Sequence, residues 1–264
     1  MTERTSGRAR SGAGTNAQRL LAWQIATVKG VHPENSHVKT ITLALPGWVP
    51  HRPGQHYDVR LTAPDGYQAQ RSYSVASEPE RAGEIDLTVE ALPDGEVSSY
   101  LCDVVVPGDQ VEVRGPIGGY FVWEAGMAGP LLLVGGGSGV VPLMSMLRHR
   151  RTARSSVPAS LLYSVRSPAD VIYAAELERL EAARDGLRVI FTFTRSQPPG
   201  WPGYARRIDE EMLGEVIRPL GAGLRAYVCG PTPLVENVAN ALVGLGIAAD
   251  CVLTERFGPT GTNA

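Results

Sequence analysis

The chain of 264 residues is long enough for one large domain or two ordinary ones. With 43% hydrophobic and 20% charged residues it has the composition of a globular protein with a buried core, and 25 basic against 27 acidic residues give a net charge of −2. This near balance argues against a dedicated nucleic-acid binder, which needs a basic surface.

The start of the chain, residues 1–18, predicts a disordered tail, because it is rich in Gly, Ser, Thr and Arg and lacks the apolar core of a secretory signal. The longest apolar run, residues 131–144, is interrupted by three consecutive glycines and by Pro142. It is too short and too broken to cross a bilayer about 30 Å thick. We therefore expect a cytoplasmic protein with no membrane partner.

Residues 19–124 form the first predicted domain. Short alternating or β-branched runs, such as residues 38–43 and 84–89, are separated by turns that contain proline or glycine, which is typical of antiparallel strands. The strands are close to 8 to 12 residues apart, and residues 97–103 are the single short helical candidate. This arrangement favours a closed antiparallel Greek-key β-barrel.

Residues 128–264 form the second predicted domain. Four short apolar runs, residues 131–134, 159–163, 188–193 and 225–228, are each followed by a loop and in most cases by a helical pattern. Such alternation predicts an α/β fold, with a parallel sheet covered by helices on both faces. The small residues of 124–130 are the predicted hinge between the two domains.

A glycine-rich turn follows the first apolar run of the second domain. Gly135, Gly136, Gly137, Ser138 and Gly139 lead into residues 140–149, which have helical spacing with a proline in the first turn. Without side chains in the way, a pyrophosphate can approach the backbone N–H groups and the positive end of the helix dipole. The pattern predicts a dinucleotide-phosphate loop.

The next two strand ends predict which dinucleotide binds. Sites selective for an unphosphorylated ribose place a carboxylate near the end of the second strand. This chain has Ser164 and Arg166 there, and Thr194 and Arg195 after the third strand. A hydroxyl and guanidinium groups suit a 2′-phosphate, so the sequence favours NADP(H). The alternative, that both arginines are ordinary surface residues, remains open.

Two patterns in the first domain also suggest ligand contacts. In a strand, Arg71 and Tyr73 share one face, where a guanidinium could bind a phosphate and an aromatic ring could cover a heteroaromatic ring. The hydroxyl of Ser74 could bind a ring nitrogen. The alternative is that this segment is an ordinary polar strand without a ligand. In the stretch from Gly95 to Ser99, we expect Ser98 to cap a short helix beside a second anion site.

Taken in order, these segments resemble the motifs of the ferredoxin–NADP⁺ reductase-like flavoproteins. Arg71 to Ser74 resembles the R-x-Y-S motif, Gly95 to Ser98 the G-x-x-S turn, and Gly135 to Pro142 the G-G-G-x-G-x-x-P loop. Cys229, Gly230 and Pro231 resemble the C-G-P motif near the nicotinamide. The match covers nearly all of the chain after the tail and implies FAD and NADP(H) as cofactors.

The resemblance implies a role for individual residues. Arg71 would bind the FAD pyrophosphate, Tyr73 would lie along the isoalloxazine, and Ser74 would hydrogen-bond the flavin N5. Cys229 would lie near nicotinamide C4, and Glu255 would supply a proton path, which makes Ser74, Cys229 and Glu255 the predicted catalytic set. The implied cofactor-binding residues are Arg71, Ser72, Tyr73, Ser74, Gly95, Val97, Ser98, Ser99, Gly136, Gly137, Ser138, Gly139, Pro142, Ser164, Arg166, Thr194, Arg195, Arg207, Cys229, Gly230, Pro231 and Phe257.

One part of the family pattern is altered. The G-R-I that follows the third strand in the family is replaced by Arg206, Arg207 and Ile208. Arg207 is therefore the counterpart of the family's arginine, and Arg206 stands where the family has glycine. Phe257 resembles the aromatic residue that covers the far face of the flavin.

The cysteines bear on where electrons go. Cys102, Cys229 and Cys251 are scattered, whereas a plant-type iron–sulfur domain needs four cysteines in fixed spacing. We predict an FAD-dependent NADPH oxidoreductase that passes electrons singly to a separate iron–sulfur protein, a ferredoxin or an oxygenase component. The alternatives are a free-flavin or ferric-chelate reductase and a non-catalytic flavin-holding subunit. We expect no metal site, and surface or turn roles for the five histidines.

Overall fold

The computed structural model describes residues 22–257, so the predicted tail, 1–18, lies outside the described residues. Its first half is one antiparallel sheet of six strands in the order β4-β3-β6-β1-β2-β5. A bridge between Val75 and Leu87 joins the two ends of the sheet, which confirms the predicted antiparallel barrel. The strands are β1 (Gln24–Pro33), β2 (Val38–Ala44), β3 (His56–Thr62), β4 (Gln68–Ser74), β5 (Glu84–Glu90) and β6 (Gln110–Ile117).

The barrel interior is filled by alternate side chains of these strands. On β2 and β5, Ile41, Leu43, Ile85 and Leu87 are at most 1% exposed and belong to one apolar cluster. A helical turn, α1 (Glu96–Ser99), continues as a π-helical turn over Tyr100–Val104 and packs below this core. The short helix predicted over residues 97–103 is therefore present.

The second half is a parallel sheet of five strands in the order β11-β10-β7-β8-β9. Four of them were expected from apolar runs, whereas the edge strand β11 was not. The strands are β7 (Leu131–Gly136), β8 (Ala159–Val165), β9 (Leu187–Phe193), β10 (Arg225–Pro231) and β11 (Val252–Phe257). The helices are α2 (Val140–Thr152), α3 (Ala174–Ala182), α4 (Glu210–Ile217) and α5 (Thr232–Gly244).

Strand β7 shows why this sheet needs helices on both faces. Every residue of β7 is buried; Leu131 and Leu133 join an apolar cluster with α2 and α3, whereas Leu132 and Val134 join one with α4 and α5. A parallel strand buried on both faces reads as a continuous apolar run, which is how the sequence predicted it. The two-domain architecture is thus confirmed.

The segment between β6 and β7 connects the two sheets. Phe121 and Trp123 of this segment are buried in the same cluster as α2, and Arg52 of the barrel pairs with Glu124 across 2.5 Å. The predicted boundaries at residues 124 and 128 fall within this connection, and where each unit ends stays a prediction. Over residues 22–257 no helix combines the length and apolar character needed to cross a membrane.

Candidate active site

The end of strand β4 presents two buried hydroxyls without hydrogen-bond partners among the described residues. Ser74 is 5% exposed and its Oγ has no partner, and the same holds for the hydroxyl of Tyr73. Burial raises the pKa of the Tyr73 phenol, so it remains a neutral donor. A buried hydroxyl left unsatisfied costs about 1–3 kcal/mol. Because consecutive residues of a strand point to opposite faces, the two hydroxyls lie on either side of the strand end, and each can donate a hydrogen bond to a polar ligand or accept one from it.

The neighbouring residues of β4 behave differently from one another. Arg71 is exposed, and its Nη1 donates to the carbonyl oxygen of Gln70 across 2.7 Å. Within residues 22–257 it forms no ion pair, so its charge is open to an anion. The Ser72 hydroxyl donates to Oδ1 of the buried Asp58 across 2.6 Å, and Asp58 also binds Arg114. The Ser72 side chain is therefore engaged in the barrel wall.

The turn at Gly95 corrects one expectation. Ser98 does not cap α1: its Oγ donates to the carbonyl oxygen of Gly95 and accepts from the N–H of Leu92, both at 3.3 Å, and Gly95 itself is the capping residue, without a side-chain bond. Ser98 lies in the third position of the helix, so its hydroxyl folds back on the preceding turn. A Cβ on Gly95 would lie 2.2 Å from this hydroxyl, so a larger residue there would force the Ser98 side chain to move.

Two other predicted residues of this turn have local contacts. Val97 is 1% exposed and belongs to the barrel core, whereas the hydroxyl of Ser99 donates weakly to the carbonyl oxygen of Leu92 across 3.4 Å. Neither side chain is directed by these contacts to a ligand. A cofactor role at this turn would therefore rest on backbone groups.

The glycine loop of the second domain is held against strand β10 by backbone contact. Residues Gly137–Gly139 form one 3₁₀ turn between β7 and α2, and Pro142 lies in the first turn of α2 as predicted. A Cβ on Gly139 would lie 2.1 Å from the carbonyl oxygen of Cys229, and one on Gly230 would lie 3.1 Å from the Cα of Gly136. Because α2 has no acidic residue in its first turn, nothing there opposes an anion.

Four predicted residues are brought together where β10 and β11 end. Cys229 lies opposite Glu255, and Pro231 lies opposite Phe257. Cys229 is fully buried, and burial, followed by the nearby Glu255, raises the pKa of its thiol well above the ordinary value. The thiol therefore remains protonated and serves to pack rather than to attack.

Glu255 has the most unusual environment of the acidic residues at this edge. Burial raises the pKa of its carboxyl to about 7, and its Oε2 is buried without a partner among the described residues. A carboxyl that titrates near neutral pH can hold or release a proton, which is a common property of catalytic acids and bases. The strand pairing places this group next to Cys229.

The predicted 2′-phosphate residues lie at the same carboxyl edge of the sheet. Ser164 is buried opposite Gly136 of the glycine loop. Arg166 and Arg195 are exposed, and the N–H of Arg195 donates to the carbonyl oxygen of Arg166 across 2.9 Å, which holds the two loops together. The hydroxyl of Thr194 donates a hydrogen bond to the carbonyl oxygen of Val165.

The two consecutive arginines after β9 differ in their contacts. Arg206 pairs with Asp209 and Glu211, and its guanidinium lies over the ring of Tyr204. Arg207 is exposed and forms no ion pair within the part of the chain that the structure describes. Arg207, Arg166 and Arg195 are therefore open cations, whereas Arg206 is committed to local structure.

Residues 27–122 match the family model of an oxidoreductase FAD-binding domain, and residues 133–240 match that of an oxidoreductase NAD-binding domain. The two matches together take in most of both sheets and end before β11. The chain belongs to the ferredoxin–NADP⁺ reductase-like family of flavoproteins. The FAD-binding match includes β4, and the NAD-binding match includes the glycine loop.

Two relatives of this flavoprotein are named as reductase parts of oxygenase systems. It is 29% identical over 235 residues to the reductase component of propane 2-monooxygenase from Mycolicibacterium smegmatis, covering 87% of this chain and 66% of the relative. It is 32% identical over 210 residues to the glycine betaine monooxygenase reductase subunit of Pseudomonas aeruginosa, covering 79% and 57%. The chain thus spans less than two thirds of the length of these relatives.

A solved structure gives the same fold for the flavoprotein. A ferredoxin–NADP⁺ reductase from Neisseria gonorrhoeae, with FAD and NADP bound, superposes with a TM-score of 0.75 at 20% identity, over 89% of this chain and 98% of the other. At that level of identity the likeness establishes the fold alone.

The residues present in the flavoprotein fit the two cofactors. FAD needs polar groups that are otherwise unsatisfied, and β4 offers the Tyr73 and Ser74 hydroxyls beside the open guanidinium of Arg71. A dinucleotide needs a backbone cradle, and Gly136 and Gly139 lie where side chains would collide with neighbouring atoms. Both donor sets agree with the domains that the family models identify.

Two histidines of the flavoprotein correct the expectation of surface or turn roles. His51 is 2% exposed, and its Nε2 donates to the carbonyl oxygen of Ser77 across 2.9 Å; burial lowers the pKa of His51. His149 joins Glu80, 2.6 Å away, to the N–H of Ala125. Both lie between the domains. Within residues 22–257 no group of three metal-binding side chains lies together.

Sequence reasoning missed one further set of residues, which joins the domains. Ser145 and Arg148 on α2 donate to the carbonyl oxygens of Ser77 and Ala76, just after β4. The signal that could have found Ser145 is a hydroxyl within the otherwise apolar residues 140–147, whereas Arg148 begins a polar run and has no such signal. No short motif marks their partners, because those are backbone carbonyls.

Proposed function

We propose that this protein is an FAD-containing oxidoreductase that takes a hydride from NADPH and delivers electrons one at a time to a separate iron–sulfur protein. One observation carries the proposal. The helix that begins at the glycine loop contacts Ala76 and Ser77, which follow Ser74 by two and three residues. The nucleotide site of one domain and the flavin strand of the other are therefore structurally joined, as a redox pair requires.

The chain's own residues divide the work of binding. Arg71 binds the FAD pyrophosphate, the ring of Tyr73 covers the flavin, and Ser74 donates a hydrogen bond to a flavin nitrogen. Cys229 packs beside the nicotinamide and excludes water, and Glu255 holds or releases a proton. When bound, FAD supplies the conversion between the two-electron hydride of NADPH and single electrons.

The preference for NADPH is part of this proposal. Ser164 lies opposite Gly136, and the exposed Arg166 and Arg195 are tied to each other beside it. No carboxylate occupies the end of β8, where one would repel a 2′-phosphate. Arg207 adds a further open cation near the end of β9.

The proposed partner is a ferredoxin or the iron–sulfur component of an oxygenase. Two of the relatives are reductase parts of monooxygenases, which supports a separate acceptor. The three cysteines are free and too few for a four-thiolate cluster. None of the three is placed in a disulfide, which supports a cytoplasmic location for the protein.

The test is a set of assays on the purified, desalted protein. We expect FAD to remain bound, and NADPH to drive the reduction of both ferricyanide and a plant-type ferredoxin. Loss of FAD on desalting, with turnover only of added flavin, would instead identify a free-flavin reductase. Retained FAD that NADPH does not reduce would identify a non-catalytic flavin-holding subunit and overturn the proposal.

A further inference from the structure

Helix α2 is the physical connection between the two domains. Its residues 140–147 are all buried, and a helix buried all round lies between two packing partners. One partner is the parallel sheet, and the other includes Val38 and Ala76 of the barrel, which share the cluster of α2. The helix that starts at the glycine loop thus packs against both domains.

Two polar side chains of α2 fix this packing. The hydroxyl of Ser145, which is fully buried, donates to the carbonyl oxygen of Ser77 across 2.7 Å. Nη1 of Arg148 donates to the carbonyl oxygen of Ala76 across 2.8 Å. His51 of the barrel also donates to the Ser77 oxygen. Hydrogen bonds are directional, so they fix a distance that apolar contact alone leaves free.

The guanidinium of Arg148 is itself held in place. Its Nε and Nη2 donate to the two carboxylate oxygens of Glu176 across 2.9 and 2.6 Å, and its Cζ lies 4.9 Å from the ring centre of Tyr173. Tyr173 adopts a left-handed backbone (φ 60°) and donates to the hydroxyl of Thr88 on β5. This planar, forked arrangement suits arginine and cannot be reproduced by lysine.

The path between the two cofactor sites through these bonds is short. Ala76 and Ser77 follow Ser74 by two and three residues, and Ser145 follows Gly139 by six residues, about 9 Å along a helix. We propose that Ser145 and Arg148 are positioning residues that set the separation of the nicotinamide from the flavin. This inference rests on the proposed function.

A change in this separation should alter the rate of one step, the transfer of a hydride from the nicotinamide to the flavin. Moving a hydride from the nicotinamide carbon to the flavin nitrogen, which oxidises NADPH and reduces the flavin, needs a separation of about 3–3.5 Å, and a misplacement of about 1 Å costs roughly 100-fold. Ser145 and Arg148 bind backbone carbonyls of the barrel. Loosening them therefore changes the geometry of transfer and leaves the contacts with each cofactor in place.

The experiment compares Ser145→Ala and Arg148→Lys with Arg150→Lys on the FAD-loaded protein. Arg150 is a matched control: it lies on the same helix, is 1% exposed, and donates to Val157 and Asp185 of its own domain. We expect both arginine variants to lower Tm. Only Ser145→Ala and Arg148→Lys should slow the limiting rate of flavin reduction in anaerobic stopped flow, by roughly 10- to 100-fold.

Two further readouts separate positioning from stability. We expect Ser145→Ala and Arg148→Lys to weaken the charge-transfer absorbance between reduced flavin and NADP⁺, and to speed amide hydrogen exchange at residues 76–77, with FAD content and the Kd for NADPH unchanged. Arg150→Lys should alter neither. If Arg148→Lys does not fold, Ser145→Ala alone decides the matter.

Suppose that NADPH reduces the wild-type flavin. The positioning role is then overturned if Arg148→Lys and Arg150→Lys slow flavin reduction equally. It is also overturned if Ser145→Ala leaves both the rate and the charge-transfer absorbance unchanged. A wild-type protein that holds FAD but is not reduced by NADPH would overturn the proposed function and the positioning role together. The wild-type trace therefore distinguishes the two failures.

Discussion

Arg166 tests the proposed coenzyme preference with a single side chain. Because it is exposed and open at the end of β8, Arg166→Ala should remove a charge-assisted hydrogen bond to the 2′-phosphate and raise the KM for NADPH by roughly 10- to 100-fold, with little effect on NADH. Arg188→Ala, an exposed arginine at the other end of the neighbouring strand, is the control. Equal effects on both coenzymes would remove the assignment.

Glu255 gives the protein a pH dependence with a definite sign. Burial raises the pKa of its carboxyl to about 7 from an ordinary 4.5, so the folded state holds this proton more tightly than the unfolded chain. The stabilisation is full below about pH 4.5 and is lost as the pH rises through about 7.

The matched variant is Glu255→Gln, which cannot ionise. Between about pH 5 and pH 8 we expect the wild-type free energy of unfolding, from urea denaturation, to fall by roughly 2–4 kcal/mol relative to the variant. Parallel profiles for the two proteins would show that Glu255 titrates normally and would contradict the assignment of a near-neutral carboxyl.

For individual residues, the sequence predicted which ones lie at the site better than it predicted what each of them contacts. Cys229 does lie opposite Glu255, and Pro231 opposite Phe257, on neighbouring strands, because motif positions are fixed by chain spacing. The orientation of Ser98 and the burial of His51 could not be predicted. Each depends on what the rest of the chain places around it, which a local pattern does not contain.

The glycine loop is the element whose shape matters most. On Gly139→Ala, the added Cβ would lie 2.1 Å from a backbone oxygen of β10, and backbone cannot yield by changing rotamer. We expect the Kd for NADPH to rise at least about 10-fold and stability to fall by about 1–3 kcal/mol, with FAD content unchanged.

The control for that variant is Gly244→Ala, at the end of α5, where no atom lies within 4 Å of an added Cβ. Its stability should stay equal or increase by up to about 1 kcal/mol. Isothermal titration with NADPH and thermal denaturation measure both quantities. Unimpaired NADPH binding by Gly139→Ala would mean that the loop does not hold the nucleotide.

Elements with a strong pattern were predictable and the others were not. The apolar run of β7 and the alternation of β2 and β5 gave correct strands. Strand β11 was missed because Glu255 and Arg256 interrupt its six residues. It is stabilised by pairing with β10 at the edge of the sheet, which no local pattern reveals.

For the whole molecule, the sequence predicted two domains and their order but not how they meet. The junction includes hydrogen bonds from Ser145 and Arg148 to the backbone carbonyls of Ser77 and Ala76, and one between His149 and the carboxylate of Glu80. Backbone carbonyls carry no sequence signature. The proposed transfer from NADPH to the flavin nevertheless depends on this junction, because the junction joins the flavin strand to the nucleotide loop.

Anaerobic titration of the purified, FAD-loaded protein with NADPH tests that dependence most directly. The visible absorption band of the flavin should bleach with one NADPH per FAD, at a rate that Arg150→Lys leaves unchanged. If dithionite bleaches the flavin and NADPH does not, the two cofactors do not meet in this protein and the proposed function is wrong.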